Sequence, residues 1–143
     1  MIKKFETMFP RSLYVAKNTT YEEITNTFKL FSPTTEDEIE YNKDSFYKDV
    51  LDKSIVATTF LVRKIETADV GYLVTLNEDK VDHGVCTHEA THVCKHMEDH
   101  FGLESDANEY RAYLTEWYSN RIAEVWEGKF DKDTNDGLPS CEK

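Results

Sequence analysis

Two apolar stretches near the middle of the chain have the composition of β-strands. Ser54–Ile65 is rich in β-branched residues, and Val70–Leu76 reads Val-Gly-Tyr-Leu-Val-Thr-Leu. Residues of these types are enriched in strands, and the turn Glu66–Asp69 between the two stretches is short enough for a direct connection. The pattern therefore predicts an antiparallel pair of strands.

Beyond Gly84 the apolar residues follow helical spacing. The pattern predicts two helices, near 84–101 and 105–126, that are joined by a turn near Gly102. The first helix carries enough apolar residues to bury one side, namely Val85, Cys86, Ala90, Val93, Cys94, Met97 and Phe101. We therefore predict an α+β fold in which a small antiparallel sheet packs on these two helices.

The N-terminal part of the chain contains weaker signals. Leu13–Ala16 is apolar and predicts a short strand. Thr19 or Thr20 can cap a helix that runs through Phe28, because the first turn that follows is acidic and complements the helix dipole. Ser32–Lys48 is polar and rich in acidic residues, which predicts either a loop or a second short helix.

The length and composition are those of one packed domain. With 143 residues, of which 39% are apolar and 13% aromatic, residues 1–143 are enough to bury a core. Residues 127–143 are charged and contain glycine and proline, so we predict a polar C-terminal tail there. The net charge of −11 argues against nucleic-acid or membrane partners, because such anionic surfaces need clustered cations.

The three cysteines favour a reducing compartment. Cys86 and Cys94 lie eight residues apart on one predicted helix, about 12 Å, which is beyond the reach of a disulfide. Cys141 lies in the polar tail. The N-terminus lacks the apolar core of a signal peptide, and no apolar run is long enough to cross a membrane. We therefore expect free thiols and a cytoplasmic protein.

The segment His88-Glu89-Ala90-Thr91-His92 carries the most information about function. Residues four apart on a helix project from one face, so the two imidazoles can converge on one zinc ion. Glu89 lies beside them, where a carboxylate can take a proton from a water on the open side of the metal. The segment predicts metal-assisted hydrolysis; the alternative is a charged surface helix with two solvated histidines.

A catalytic zinc usually has three protein ligands and one position for water. Glu109 follows His92 with sixteen residues between them, enough to finish one helix and return with a second. A small residue one turn later, Ala112, would let the two helices approach closely. The competing carboxylates for this third position are Glu104, Asp106 and Glu116.

An H-E-x-x-H helix followed by a helix with a glutamate ligand resembles the glutamate-type zincin metallopeptidases. The segment Glu109-x-x-Ala112-Tyr113-Leu114 is similar to small zincin-like proteins of bacteriophages and related mobile elements. The resemblance covers Cys86–Trp126. It implies a minimal zincin-like fold, zinc as the cofactor, a peptide or protein substrate, Glu89 as the general base, and His88, His92 and Glu109 as metal ligands.

The chain also departs from known zincin subclasses. The metzincin extension would need glycine and histidine where this chain has Lys95 and Glu98, so that subclass is excluded. In thermolysin-like enzymes an aspartate four residues after the glutamate ligand orients a ligating histidine, and here that position is Tyr113. The group that orients the imidazoles is therefore not identified by the sequence.

Three further residues are candidates for supporting roles. Tyr110 and Tyr113 can each donate a phenolic hydrogen bond to a developing oxyanion, but we expect both to pack between the helices instead. Glu116 lies two turns beyond Glu109 on the same helix face, where it can support a ligand instead of binding metal.

The remaining histidines have simpler interpretations. His96 and His100 continue the four-residue spacing, but His96 lies about 12 Å along the axis from His88 and cannot share one ion with both motif histidines. We expect His96 and His100 to be solvated or salt-bridged. His83 precedes the motif, in a loop position that often lines a site.

These observations leave two hypotheses for function. The first is a zinc-dependent peptidase that hydrolyses peptide bonds with a metal-activated water. The second is a structural or adaptor protein of a phage virion, a head–tail or tail-ring component that retains the zincin-like fold and contacts other virion proteins. The presence of Glu89 favours the enzyme, because a scaffold has no need for a residue that activates water.

Overall fold

The computed structural model describes residues 1–52, 55–77, 81–102 and 108–131, without the side chains of 108–110. Five strands and four α-helices follow one another in these ranges: β1 (Ile2–Phe5), β2 (Ser12–Lys17), α1 (Tyr21–Thr27), β3 (Phe28–Phe31), α2 (Lys43–Phe46), β4 (Ala57–Lys64), β5 (Val70–Leu76), α3 (His83–Phe101) and α4 (Asn108–Trp126). A π-helical turn, Tyr47–Leu51, continues α2. The α+β class is therefore confirmed.

The strands form one five-stranded sheet in the order β1-β2-β5-β4-β3. The predicted antiparallel pairing of β4 and β5 is confirmed, with Phe60 opposite Leu73. The sheet is larger than predicted and mixed, because β2 lies beside β5 in parallel. Parallel neighbours need a long crossover. Here the crossover contains α1, β3, α2 and β4, and local spacing along the sequence carries no sign of it.

Helices cover both faces of the sheet. On β2, Leu13 and Val15 face the core that includes α3 and α4, whereas Tyr14 and Ala16 face the core that includes α1 and α2. A strand that is covered on both faces is apolar at every position rather than at every second one. This explains why β2 and β5 read as continuous apolar runs.

The first helix begins where the sequence predicts and ends earlier. Thr20 caps α1 and forms a capping box with Glu23. The helix was predicted to run through Phe28, but it stops at Thr27 and the chain continues as β3. Phe28 and Leu30 are buried in the core while Lys29 between them is exposed. This alternation of buried and exposed residues has the two-residue period of a strand. Pairing with β4 holds these residues in the extended conformation.

Helices α3 and α4 run antiparallel across one face of the sheet. Three contacts fix their register: Thr87 Oγ1 to Ser119 Oγ at 3.1 Å, Thr115 Oγ1 to Cys94 Sγ at 3.4 Å, and Arg111 Nε to Glu98 Oε2 at 3.4 Å. Ala112 is exposed, so the prediction that it lets the helices approach is wrong. The small side chains between the helices are instead Thr115 and Ser119, which lie one turn apart.

Substitution of Gly71 by alanine should destabilise the sheet. A Cβ atom at this position would lie 2.5 Å from the backbone oxygen of Ser12 and 2.8 Å from the ring of Tyr14. Because Ser12 is the paired residue in β2, the strands must separate to make room. We expect the free energy of unfolding to fall by about 1–3 kcal/mol or more, as in overpacked cores. Urea denaturation measures this, and an unchanged midpoint would contradict the close approach.

The described ranges include no helix that is long and apolar enough to cross a membrane. The two cysteines of α3, Cys86 and Cys94, are buried and unpaired, as predicted. Burial raises the pKa of the Cys86 thiol to about 11. Cys141 and the rest of the predicted tail beyond Asp131 lie outside the described residues.

Candidate metal centre

The two histidines of the motif converge at the surface of α3. Both side chains are exposed, and their Nε2 atoms lie 3.0 Å apart. They approach because His88 and His92 are one turn apart on the same face of the helix. One nitrogen from each, together with a carboxylate oxygen of Glu89, forms a group whose atoms all lie within 4.8 Å of one another.

The spacing of the two nitrogens suits a shared cation. Two ligands on one tetrahedral zinc, each 2.0–2.1 Å from the ion, lie about 3.3 Å apart. The observed 3.0 Å differs from this by a few tenths of an ångström, which small rotations of the exposed rings can supply. Imidazole nitrogens and a carboxylate are also the donor types that zinc takes in catalytic sites. The nitrogens of His88 and His92 therefore fit the ion that the sequence predicts, and the carboxylate of Glu89 lies beside them.

Glu89 occupies a different environment from the histidines. It follows His88 by one residue, about 100° around the helix, and this turns it toward the sheet. Its side chain is only 6% exposed, and its Oε1 atom accepts a hydrogen bond of 2.8 Å from Thr59 Oγ1 on β4. The motif therefore lies across the boundary of the core, with the carboxylate inside and the imidazoles outside.

A cleft of about 410 Å³ opens beside Glu89. Its lining comes from the start of β4 and the first turns of α3: Val56, Ala57, Asp82, Gly84, Val85, His88 and Glu89. Asp82 caps α3 by accepting a hydrogen bond from the backbone amide of Val85 at 2.9 Å, which fixes the start of the helix at this cleft. Of the motif residues, His88 and Glu89 thus line this cleft.

The strand next to the cleft is paired along only part of its outer edge. β3 pairs with residues 61–64 of β4, and no described strand pairs with the outer edge of residues 57–60. Unpaired backbone groups at a sheet edge are a template for an added strand. An extended peptide that pairs with residues 57–60 would pass close to Thr59, Glu89 and His88.

The predicted third ligand, Glu109, has a side chain outside the described residues. Its backbone lies near the start of α4, two residues before Arg111, which pairs with Glu98. Glu98 lies six positions after His92, or about 9 Å along the helix axis. The alignment of α4 against α3 thus places the start of α4 beside the end of α3, and not beside His88 and His92.

The structure does not bring Tyr113 or Glu116 into the group formed by the motif residues. Tyr113 is 69% exposed and lines a separate pocket with Met8 and Trp117, so it does not pack between the helices either. The side chain of Tyr110 lies outside the described residues. Glu116 is exposed and lines a groove between α3 and α4, and it is not part of the group formed by the motif residues.

The remaining histidines have contacts of their own. His96 is half-buried and stacks on His92 with a centroid distance of 6.3 Å; burial lowers its pKa. His100 lies 3.1 Å from Glu36 and also contacts Arg11, which confirms the salt-bridge prediction for this residue. His83 is the first residue of α3, and its ring packs against that of Trp126 with a centroid distance of 5.2 Å.

No sequence pattern points to Thr59. It lies on a strand thirty residues before Glu89, and a threonine in a β-branched run is an ordinary strand residue. Only the packing of α3 on β4 brings its hydroxyl to the carboxylate. The cleft residues Val56 and Ala57 were likewise not predicted, for the same reason.

No family model matches this chain, and neither a curated protein nor a solved structure is found to be similar to it. The resemblance to glutamate-type zincins is therefore carried by the motif residues.

Proposed function

We propose that this protein is a zinc-dependent peptidase in which His88 and His92 bind the metal and Glu89 is the general base. The observation that carries the proposal is the pair of Nε2 atoms at 3.0 Å, with a carboxylate oxygen of Glu89 within 4.8 Å of both. The group lies at a cleft beside a strand edge that no described strand covers.

Zinc, when bound, supplies a Lewis acid that polarises a carbonyl and lowers the pKa of water. The protein supplies the base, since the hydrogen bond from Thr59 occupies Oε1 of Glu89 and leaves Oε2 for proton transfer. A carboxylate in this position can accept a proton from the attacking water and pass it to the leaving amine. Its low exposure keeps bulk water from competing for this proton.

The outer edge of residues 57–60 aligns the substrate in this proposal. Backbone pairing along a strand edge binds an extended peptide with little dependence on its sequence. The carboxylates of Asp82 and Glu89 line the cleft, and no lysine or arginine is among its described lining residues. A peptide with basic side chains is therefore favoured over an acidic one. The buried, unpaired thiols of Cys86 and Cys94 support a cytoplasmic location.

The site has two possible versions, one with Glu109 as a third metal ligand and one without it. The resemblance implies Glu109, and for its carboxylate to reach the histidines the start of α4 must move along α3 from the described register. Zinc titration of Glu109→Gln, with Glu116→Gln as the matched control on the same helix face, tests this. If Glu109 is a ligand, only its substitution weakens zinc binding.

The second candidate is a structural part of a phage virion with a zincin-like shape. It is favoured by the register of α4, because among the described residues only the motif itself contributes to the metal group. In that case zinc, if it binds, has a structural or incidental role. The two candidates then differ in whether Glu89 acts as a general base.

Elemental analysis combined with a peptide-cleavage assay tests the proposed function. We expect about one zinc per chain after purification in the presence of zinc, and cleavage of a mixed peptide library that a chelator abolishes and added zinc restores. Protein that is folded yet contains no zinc would exclude the metal site. Stoichiometric zinc without cleavage of any peptide would exclude the peptidase and leave the structural candidate.

A further inference from the structure

The hydrogen bond between Thr59 and Glu89 joins the middle of β4 to the motif on α3. Its length is 2.8 Å, and among the described residues Thr59 is the only side chain that bonds to this carboxylate. We propose that Thr59 is a positioning residue that holds the Glu89 carboxylate in place for proton transfer. This inference rests on the proposed peptidase function and adds a residue to it.

The geometry suits such a role. Thr59 lies on the face of β4 that packs against α3, and its neighbours on that face are Ala57 and Leu61, which belong to the core. β4 is paired along its whole length with β5, so the hydroxyl is attached to a rigid element. Groups placed on strands hold functional side chains more exactly than groups placed on loops do.

Glu89 needs this restraint because of where it lies. Its oxygen is within 4.8 Å of both imidazole nitrogens, so a carboxylate that rotates freely can bind the cation itself. A carboxylate that binds the metal is not available as a base. By donating to Oε1, Thr59 keeps the carboxylate turned toward β4 and the cleft.

Thr59→Val removes the hydroxyl with little change of shape or strand propensity. We expect kcat to fall by about 10–100-fold, as is usual when a partner that orients a metal-site residue is lost, while KM stays within about twofold. Zinc affinity, measured by competition with a chromophoric chelator, should not fall, because both histidines are intact. Thr59→Ser keeps a hydroxyl and should restore most of kcat.

The matched control is Thr75→Val. Thr75 lies opposite Thr58 on the neighbouring strand, and its hydroxyl donates to the backbone oxygen of Thr58 at 3.4 Å. Thr75 is buried whereas Thr59 is half-buried, and the Thr75 hydroxyl bonds to Thr58 and not to Glu89. This variant should keep the kcat of the wild type even if its unfolding midpoint falls.

Two results would overturn the inference while leaving the proposed function standing. The first is a Thr59→Val enzyme with the kcat of the wild type. The second is a parallel loss of kcat, zinc affinity and stability that Thr59→Ser does not reverse, which would show a structural role only. A wild-type protein that neither binds zinc nor cleaves peptides would instead remove the proposed function, and the inference would fall with it.

Discussion

Replacement of Glu89 by glutamine is expected to abolish most hydrolysis while leaving the metal site intact. Glutamine has the shape of glutamate and a similar helix propensity, and it can still accept the hydrogen bond from Thr59 through its carbonyl oxygen. It cannot take up a proton in the range where a carboxylate does. Peptide cleavage should therefore fall by roughly 10²–10⁴-fold, the usual contribution of a general base.

Zinc affinity and the unfolding midpoint are the internal controls for this variant. Both should stay at the values of the wild type, since Glu89 is not one of the proposed ligands. Cleavage at the wild-type rate by Glu89→Gln would show that Glu89 is not the base. A large loss of zinc affinity would instead show that Glu89 is a ligand, which its distance of at most 4.8 Å from the histidine nitrogens permits.

Substitution of either motif histidine by alanine should remove both zinc and activity. Two imidazoles hold the ion in the proposed site, so the loss of one leaves too few ligands for stable binding. His96→Ala is the matched control, because His96 lies on the same helix and stacks on His92 but is not part of the metal group. We expect His88→Ala and His92→Ala to contain less than about 0.1 zinc per chain after dialysis, and His96→Ala to retain wild-type zinc.

The zinc-free forms of these variants reveal whether the histidine side chains themselves support the fold. Both motif histidines are exposed, so their side chains contribute little packing to the core. Without zinc, His88→Ala should unfold at the same denaturant concentration as the zinc-free wild type. If His96→Ala loses zinc as well, the proposed ligand pair of His88 and His92 is wrong.

The composition of single segments predicted much of the fold. The strand β5 and the helix α3 were placed to within a residue at each end, because a β-branched run and a helical apolar stripe each bury one continuous surface. The strand β3 was missed, because the helix was predicted to run through Phe28 and residues Phe28–Phe31 become a strand by pairing with β4. Local propensity is overridden where a partner strand is available.

For the site, local spacing along the chain is enough to predict the pair His88 and His92 and the position of Glu89 beside them. Helix geometry fixes these relations, since residues one and four apart have set angles and distances whatever surrounds the helix. The burial of Glu89, its hydrogen bond from Thr59 and the uncovered outer edge of residues 57–60 come instead from tertiary packing. These depend on contacts between segments far apart in the chain, and their register is set by packing rather than by local spacing.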